Sequence, residues 1–398
     1  MKVITHPATQ RHRLPLSLCL AALLLGAHPT AAASGGPAPQ LKISYSLQAY
    51  APSTAAERRP QDLWARVRSG FRLKEVNPEL TRRHERWFAE RPGQLQRAIE
   101  RSRLYLYHIV DEVERRGMPM EVALLPLIES AFDPMAVSPR RAAGIWQFIP
   151  STGRLFGLEQ NAWYDGRRDV LAATRAALDY LQTLYDQFGR WELALAAYNC
   201  GDGCVARALR SNRARGLPTH YAALPLPAQT RHYVPKLLAV RNLILDPAAA
   251  GLELQRLDNE PYFAQVRISQ PMPARQVARL ADMSLDEFMA LNPAYQRQVI
   301  RSDTPGVLLL PADRVDAFHL NLYRKGAAPP RLQPYAARRG ESLQGIAERF
   351  GVTVEWLKEH NPVRAHKGRL TAAQTLYVPA PRSPHMAHKP VPAPLREG

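Results

Sequence analysis

The chain has 398 residues and is 46% apolar, enough for two or three domains with real cores. Its 53 lysines and arginines against 35 aspartates and glutamates leave a formal charge of +18. The partner to look for is therefore anionic: nucleic acid, a membrane surface or an acidic polymer.

The first residues argue against nucleic acid. Lys2, Arg11 and Arg13 precede an apolar stretch from Leu14 to Ala27, and Ala31-Ala32-Ala33 offers a small-residue cleavage site before Ser34. Residues 1–33 read as a signal peptide, because the stretch is too short to span a bilayer; an uncleaved anchor is the alternative. An exported chain meets cell wall, lipopolysaccharide and anionic lipid, so the expected location is the periplasm or cell envelope. The charge suits peripheral association with a membrane or the wall. No lipid anchor is expected, since Cys19 follows Leu18 inside the apolar run.

Residues 34–60, rich in Ala, Pro and Ser, read as a linker or arm. The pattern then turns helical and stays so to about residue 250. Leu95, Ile99, Leu106, Ile109, Val110 and Val113 recur every three or four residues, and Arg115, Arg116 and Gly117 supply a helix end. A second helix should start near Pro119 and carry the run Val122–Ile128 that ends in Glu129. Asp169 precedes a helix with Val170, Ala173, Ala177, Leu181, Leu184 and Phe188 on one stripe, and Gly189 ends it. Trp191–Asn199 is apolar on nearly every side and predicts a buried helix. Residues 229–245, containing Tyr233, give one more.

The C-terminal part repeats itself. VARLADMSLDEFMALNP (277–293) aligns with IAERFGVTVEWLKEHNP (346–362), and each is followed by an apolar strand ending in Pro-Ala. Each unit reads as strand, two short helices, strand, over 255–315 and 333–380. The second opens on a Gly340-Glu341-Ser342 turn, which the first lacks. Residues 381–398 hold five prolines and should be disordered.

An unpaired carboxylate after so apolar a run must escape to solvent or hold its proton. Cleavage of a glycosidic bond needs a carboxylic acid whose pKa has risen toward the working pH. Glu129 is a candidate general acid on that ground; taken alone, a Glu in this place is more often a helix-end surface residue. Asp133, four residues on and before Pro134, is either a second carboxylate or the cap of a turn. HERWF (84–88) lacks the second histidine of a helical zinc motif, so no metal is implied, and no cofactor either. Cys200 and Cys204, spaced C-G-D-G-C, suit one short-loop disulfide in an oxidising compartment or remain two buried thiols.

Context favours the acid. Glu129-Ser130, Ser138-Pro139, Gly144-Ile145-Trp146-Gln147, Ala197-Tyr198-Asn199 and Tyr233 follow in an order that resembles the lytic transglycosylases of bacterial cell walls, most of all their D-type branch. The resemblance covers roughly residues 60–250, and the tail units resemble LysM repeats. It implies a mainly α protein: a lysozyme-like helical catalytic domain over 61–250, followed by small α+β (βααβ) units. Glu129 would be the sole catalytic carboxylate, splitting the β-1,4 bond of peptidoglycan strands to leave a 1,6-anhydro end. Ser138 and Gln147 fall where the family lines the cleft, and Gln147 would bond the sugar or position Glu129. Tyr198 would pack or bond under the acid, Asn199 would hold sugar or backbone, and Tyr233 would bring its hydroxyl to the glutamate. Trp146, where the usual wording has Met, would stack on a sugar or cap the cleft. LysM units imply binding to N-acetylglucosamine chains. A non-catalytic wall-binding scaffold and a water-using muramidase are the competing readings.

Overall fold

A computed structural model describes residues 60–268, 270–301, 306–324 and 332–380. The expected leader (1–33), nearly all of the arm (34–60) and the tail beyond residue 380 lie outside the described residues.

The larger body is built from helices around one apolar core. Its longest element, Val170–Phe188, begins where the Asp169 side chain accepts the Ala172 N–H and ends at Gly189, whose φ of 69° suits a residue without Cβ. Val170–Phe188 packs on Trp191–Cys200, which packs in turn on Ala228–Leu245. The middle helix is apolar all round because it is covered all round: Leu193 to Ala197 are buried to 1% exposure or less.

Two expectations need correction here. The stripe from Leu95 to Val113 belongs to two helices, Pro92–Ser102 and Leu106–Arg115. The break comes where the Ser102 hydroxyl takes the Ile99 carbonyl and the Tyr105 N–H takes that of Ser102, closing a turn that buries the Tyr105 ring. The segment after Pro119 is a 3-10 turn, Met120–Leu124, and then a short α-helix, Leu125–Glu129. Pro126 explains the restart, since a residue with no N–H fits only the first turn of a helix.

Each tail unit is an antiparallel strand pair holding two short helices. In the first, Phe263–Arg267 pairs with Val307–Pro311 around Ala274–Leu280 and Leu285–Leu291. In the second, Leu332–Ala337 pairs with Gln374–Pro379 around Leu343–Phe350 and Val354–His360. The Asn of each repeated Asn-Pro clasps the closing strand: Asn292 exchanges side-chain bonds with the Leu309 backbone, Asn361 with that of Tyr377. The first unit runs past its expected end at 315 into a helix, Val315–Arg324, because Phe318 packs into its core. The fold class expected from the sequence holds: mainly α, with small βααβ units. Among the described residues no helix is long and apolar enough to cross a membrane.

Candidate active site

Glu129 closes its helix, and the run before it is sunk in the core from Val122 to Leu125. That anchorage sets the carboxyl at the wall of a cavity of about 830 Å³, shared with Ser138, Gln147, Tyr180, Tyr198, Asn199, His232, Tyr233 and Lys236. The Tyr233 hydroxyl donates to Glu129 Oε1 at 2.5 Å. Burial pushes the carboxyl up to about 7, against the Tyr233 bond and the Lys236 charge, which both pull it down. Among the described residues lining the cavity, Glu129 is the only carboxylate.

Asp133 is not on that wall; its carboxylate accepts the Met135 N–H at 2.8 Å and caps the turn at Pro134. Ser130 donates to the Ile145 carbonyl at 3.0 Å and ties the acid's helix to the Gly-Ile-Trp-Gln turn.

That turn is tightly built. Gly144 has φ +78°, and a Cβ there would lie 2.0 Å from the Arg167 carbonyl oxygen. Gln147 lines the cavity with φ +52°, its side-chain amide donating to the Gly144 carbonyl at 2.8 Å and to that of Ala136 at 3.3 Å. Its side chain is thus held by its own loop. Ser138 Oγ accepts the Ala142 N–H at 3.1 Å. Trp146 is not on the cavity wall, so it neither stacks there nor caps the cleft. Its ring is fully buried and its indole N–H donates to Thr174 Oγ1 at 3.0 Å, because the turn sends Gln147 outward and its neighbour inward.

Tyr198 donates to the Trp146 carbonyl at 2.8 Å, and its ring lies 5.5 Å from that of Tyr180. It packs near the acid and holds the turn from behind. Asn199 Oδ1 accepts from Thr230 at 2.9 Å. Cys200 and Cys204 are joined as a disulfide across the turn at Gly201, with Cα atoms 5.9 Å apart, and Cys200 lies on the cavity wall.

Lys236 escaped the sequence reading. Its ammonium donates to the Ile128 carbonyl at 3.3 Å, and burial pulls its pKa below the usual lysine value while Glu129 raises it. Its signal was helical spacing, one turn after Tyr233. His232, also on the wall, meets His84 at 3.0 Å; burial first and then the His232 charge lower His84 to about 4. Nothing local in the sequence links those two histidines.

Residues 107–218 match the family described as Transglycosylase SLT domain, 262–327 the LysM-like domain of lytic transglycosylase MltD, and 335–379 the LysM domain. These matches place the chain among the lytic transglycosylases, with LysM repeats behind the catalytic body. It is 36% identical over 331 residues to membrane-bound lytic murein transglycosylase D of Escherichia coli (strain K12), covering 80% of this chain and 73% of that protein. It is 45% identical over 189 residues to a putative tributyltin chloride resistance protein of Alteromonas sp. (strain M-1), covering 43% of this chain and 90% of that one. A solved structure of an inactive mutant of lytic transglycosylase Slt from Pseudomonas aeruginosa aligns at 24% identity and a TM-score of 0.29, over 38% of this chain and 26% of that one. The chain belongs to the membrane-bound lytic murein transglycosylase D family.

Proposed function

We propose that this enzyme cleaves the β-1,4 bond between N-acetylmuramic acid and N-acetylglucosamine in peptidoglycan without water, with Glu129 as acid and then base. The observation that supports this most is a lone carboxyl on the cavity wall, raised to about 7 by burial and held by Tyr233. A group titrating there is half protonated near neutral pH and serves in both directions.

In the first step the neutral carboxyl gives its proton to the glycosidic oxygen as the C1–O bond breaks. The N-acetylglucosamine side leaves as an alcohol, and C1 of the muramic residue becomes electron-poor. In the second step the Glu129 carboxylate takes the proton of the muramic C6 hydroxyl while that oxygen bonds to C1. The product carries a 1,6-anhydro ring and Glu129 regains its proton. The nucleophile is already tethered to the sugar, which removes most of the entropic cost of bringing it in. Tyr233 and Lys236 favour the carboxylate that exists between the steps.

A water-using muramidase is the second reading; the usual hydrolases need another carboxylate across the sugar to activate water or trap C1. Mass spectrometry of digested sacculi separates the two: anhydro-muramic ends are expected, and reducing ends would make the enzyme a hydrolase. A non-catalytic scaffold would digest walls equally well, or equally poorly, as wild type and as Glu129→Gln. The second LysM unit, in this reading, holds N-acetylglucosamine chains and keeps the enzyme on its polymer by raising the effective concentration of substrate. Residues 1–33 direct the chain to the periplasm or envelope, where its positive charge favours peripheral attachment to wall or membrane.

A further inference from the structure

The two tail repeats use one equivalent segment in opposite ways. At the offset that pairs Val277 with Ile346, Ala294-Tyr295-Gln296 falls on Val363-Arg364-Ala365. Arg364 and Ala365 are exposed, whereas Ala294 and Tyr295 are buried to 3% and 4% exposure. The first unit's segment is covered by the catalytic body. Asp165 N–H donates to the Ala294 carbonyl and Gln296 N–H to that of Trp163, both at 2.9 Å. Tyr164 sits opposite Tyr295 in an antiparallel bridge with ring centroids 5.4 Å apart, and the Gln296 side chain donates to the Asn161 carbonyl at 3.2 Å.

The burial is mutual. Tyr164 packs into the core of the first unit, while Leu291 and Leu309 pack into the core of the catalytic body. Tyr105 of the body donates to the Ala290 carbonyl at 2.6 Å. A module that shares both cores in this way has no independent face on that side.

The strap Asn161–Arg168 leads to the cleft. Arg167 is clamped on Asp165 by two charge-assisted bonds of 2.9 and 2.7 Å. Its guanidinium also donates to the Arg141 carbonyl at 2.7 Å and to the Phe148 carbonyl at 3.3 Å, and its own carbonyl fills the space above Gly144. Arg141 and Gln147 hold φ values of +60° and +52°. Residues with a Cβ persist there only when their surroundings impose it. Gln147 is held by its own loop, and that loop is held by Arg167, which bonds to the carbonyls of Arg141 and of Phe148 beside Gln147 and whose strap is seated on the first unit.

We infer that the first LysM-like unit is a brace: by pairing with residues 161–165 it fixes Arg167, and through Arg167 the turn that presents Gln147 to the cavity. It has given over to this task the face that its repeat partner leaves open. Tyr164 and Tyr295 are positioning residues. Only the kinetic part of the test rests on the proposed cleavage reaction.

The test uses the full chain carrying Tyr295→Ala, with Tyr295→Phe as the conservative variant. In Tyr295→Ala, amide hydrogen exchange should accelerate by about tenfold or more at 161–168 and 141–148, and stay unchanged in the helix Leu343–Phe350 of the second unit, whose Leu332 and Tyr377 meet Trp163 of the strap. On a short soluble glycan, kcat should fall by roughly ten- to a hundredfold while KM changes less than about threefold, as expected for a displaced cleft residue. Tyr295→Phe keeps the ring at the strap and loses only the hydroxyl bond to the Val307 carbonyl within its own unit, so it should restore most of both. Retention on insoluble peptidoglycan should match wild type. Should Tyr295→Ala fail to fold, Gln296→Ala at an exposed position removes only the bond to Asn161, and exchange at 161–165 decides. Unchanged exchange at the strap, or lost retention with kcat intact, overturns the brace. Accelerated exchange at both segments in a protein whose wild type cleaves nothing leaves the brace standing and sinks the proposed reaction.

Discussion

Tyr233 lies 104 residues after Glu129, yet its hydroxyl donates to the Glu129 carboxyl at 2.5 Å. A donor of this kind favours the charged carboxylate, so it works against the burial that keeps the proton on. Tyr233→Phe removes the donor and should raise the Glu129 pKa above 7, by about one pH unit for a hydrogen bond to a charged group. The alkaline limb of the kcat/KM profile should move up by that amount, and kcat should fall because, in the proposed reaction, the carboxylate between the two steps loses its partner. A pH–rate profile of the variant checks this; a limb that stays in place would remove Tyr233 from the titration.

The same burial sets a stability penalty on the charged form. Burial pushes the Glu129 carboxyl in the folded protein up to about 7, from 4.5 for an ordinary glutamate. A raised folded value means that its contribution to stability is fully present below 4.5 and is lost as pH rises through 7. Above that window the ionised group leaves the protein less stable by about 3 kcal/mol than it is in acid. Glu129→Gln keeps a neutral acceptor for Tyr233 and should abolish cleavage. Its melting temperature should exceed that of wild type by several degrees at pH 8 and equal it near pH 4.5, which calorimetry at the two pH values will read.

Lys236 pulls Glu129 in the same direction as Tyr233, by charge rather than by a bond. Lys236→Met should therefore also move the alkaline limb upward. Because a half-buried charge is screened less than an exposed one, most of the shift should survive about 0.5 M salt. A shift that salt abolishes would mean that the ammonium acts from solvent.

How much of this was legible in the sequence depends on whether the information is local. Asp169 and Gly189 bound their helix as their residue types dictate, and the repeated Asn-Pro marks the same strand clasp twice. Glu129 and Tyr233, which meet on the cavity wall, stand out in the sequence by type and order. The inward turn of Trp146 was not, because it follows from the left-handed backbone at Gly144 and Gln147. Nor was the restart at Leu125, where Pro126 divides what periodicity alone runs together. The docking of the first LysM-like unit was hidden for another reason: no local pattern around Tyr295 says that the catalytic body covers it.

Gly144 offers the sharpest check on that turn. Its φ of +78° excludes most residues on backbone grounds, and a methyl group would fall 2.0 Å from the Arg167 carbonyl oxygen, which backbone cannot yield without moving the strap. Gly144→Ala should destabilise the protein by about 2–4 kcal/mol, combining the strained φ with an overpacked contact. If the variant still folds at low temperature, the displaced turn should carry Gln147 away from the cavity and lower kcat by roughly a hundredfold. Gly157, with φ +75° and nothing within 4 Å of its virtual Cβ, is the control: it shares the backbone strain without the collision. Gly157→Ala should lose only about 1–2 kcal/mol and keep wild-type kcat. Equal losses of stability and activity in the two variants would show that the contact with Arg167, and with it the path from strap to cleft, carries no weight.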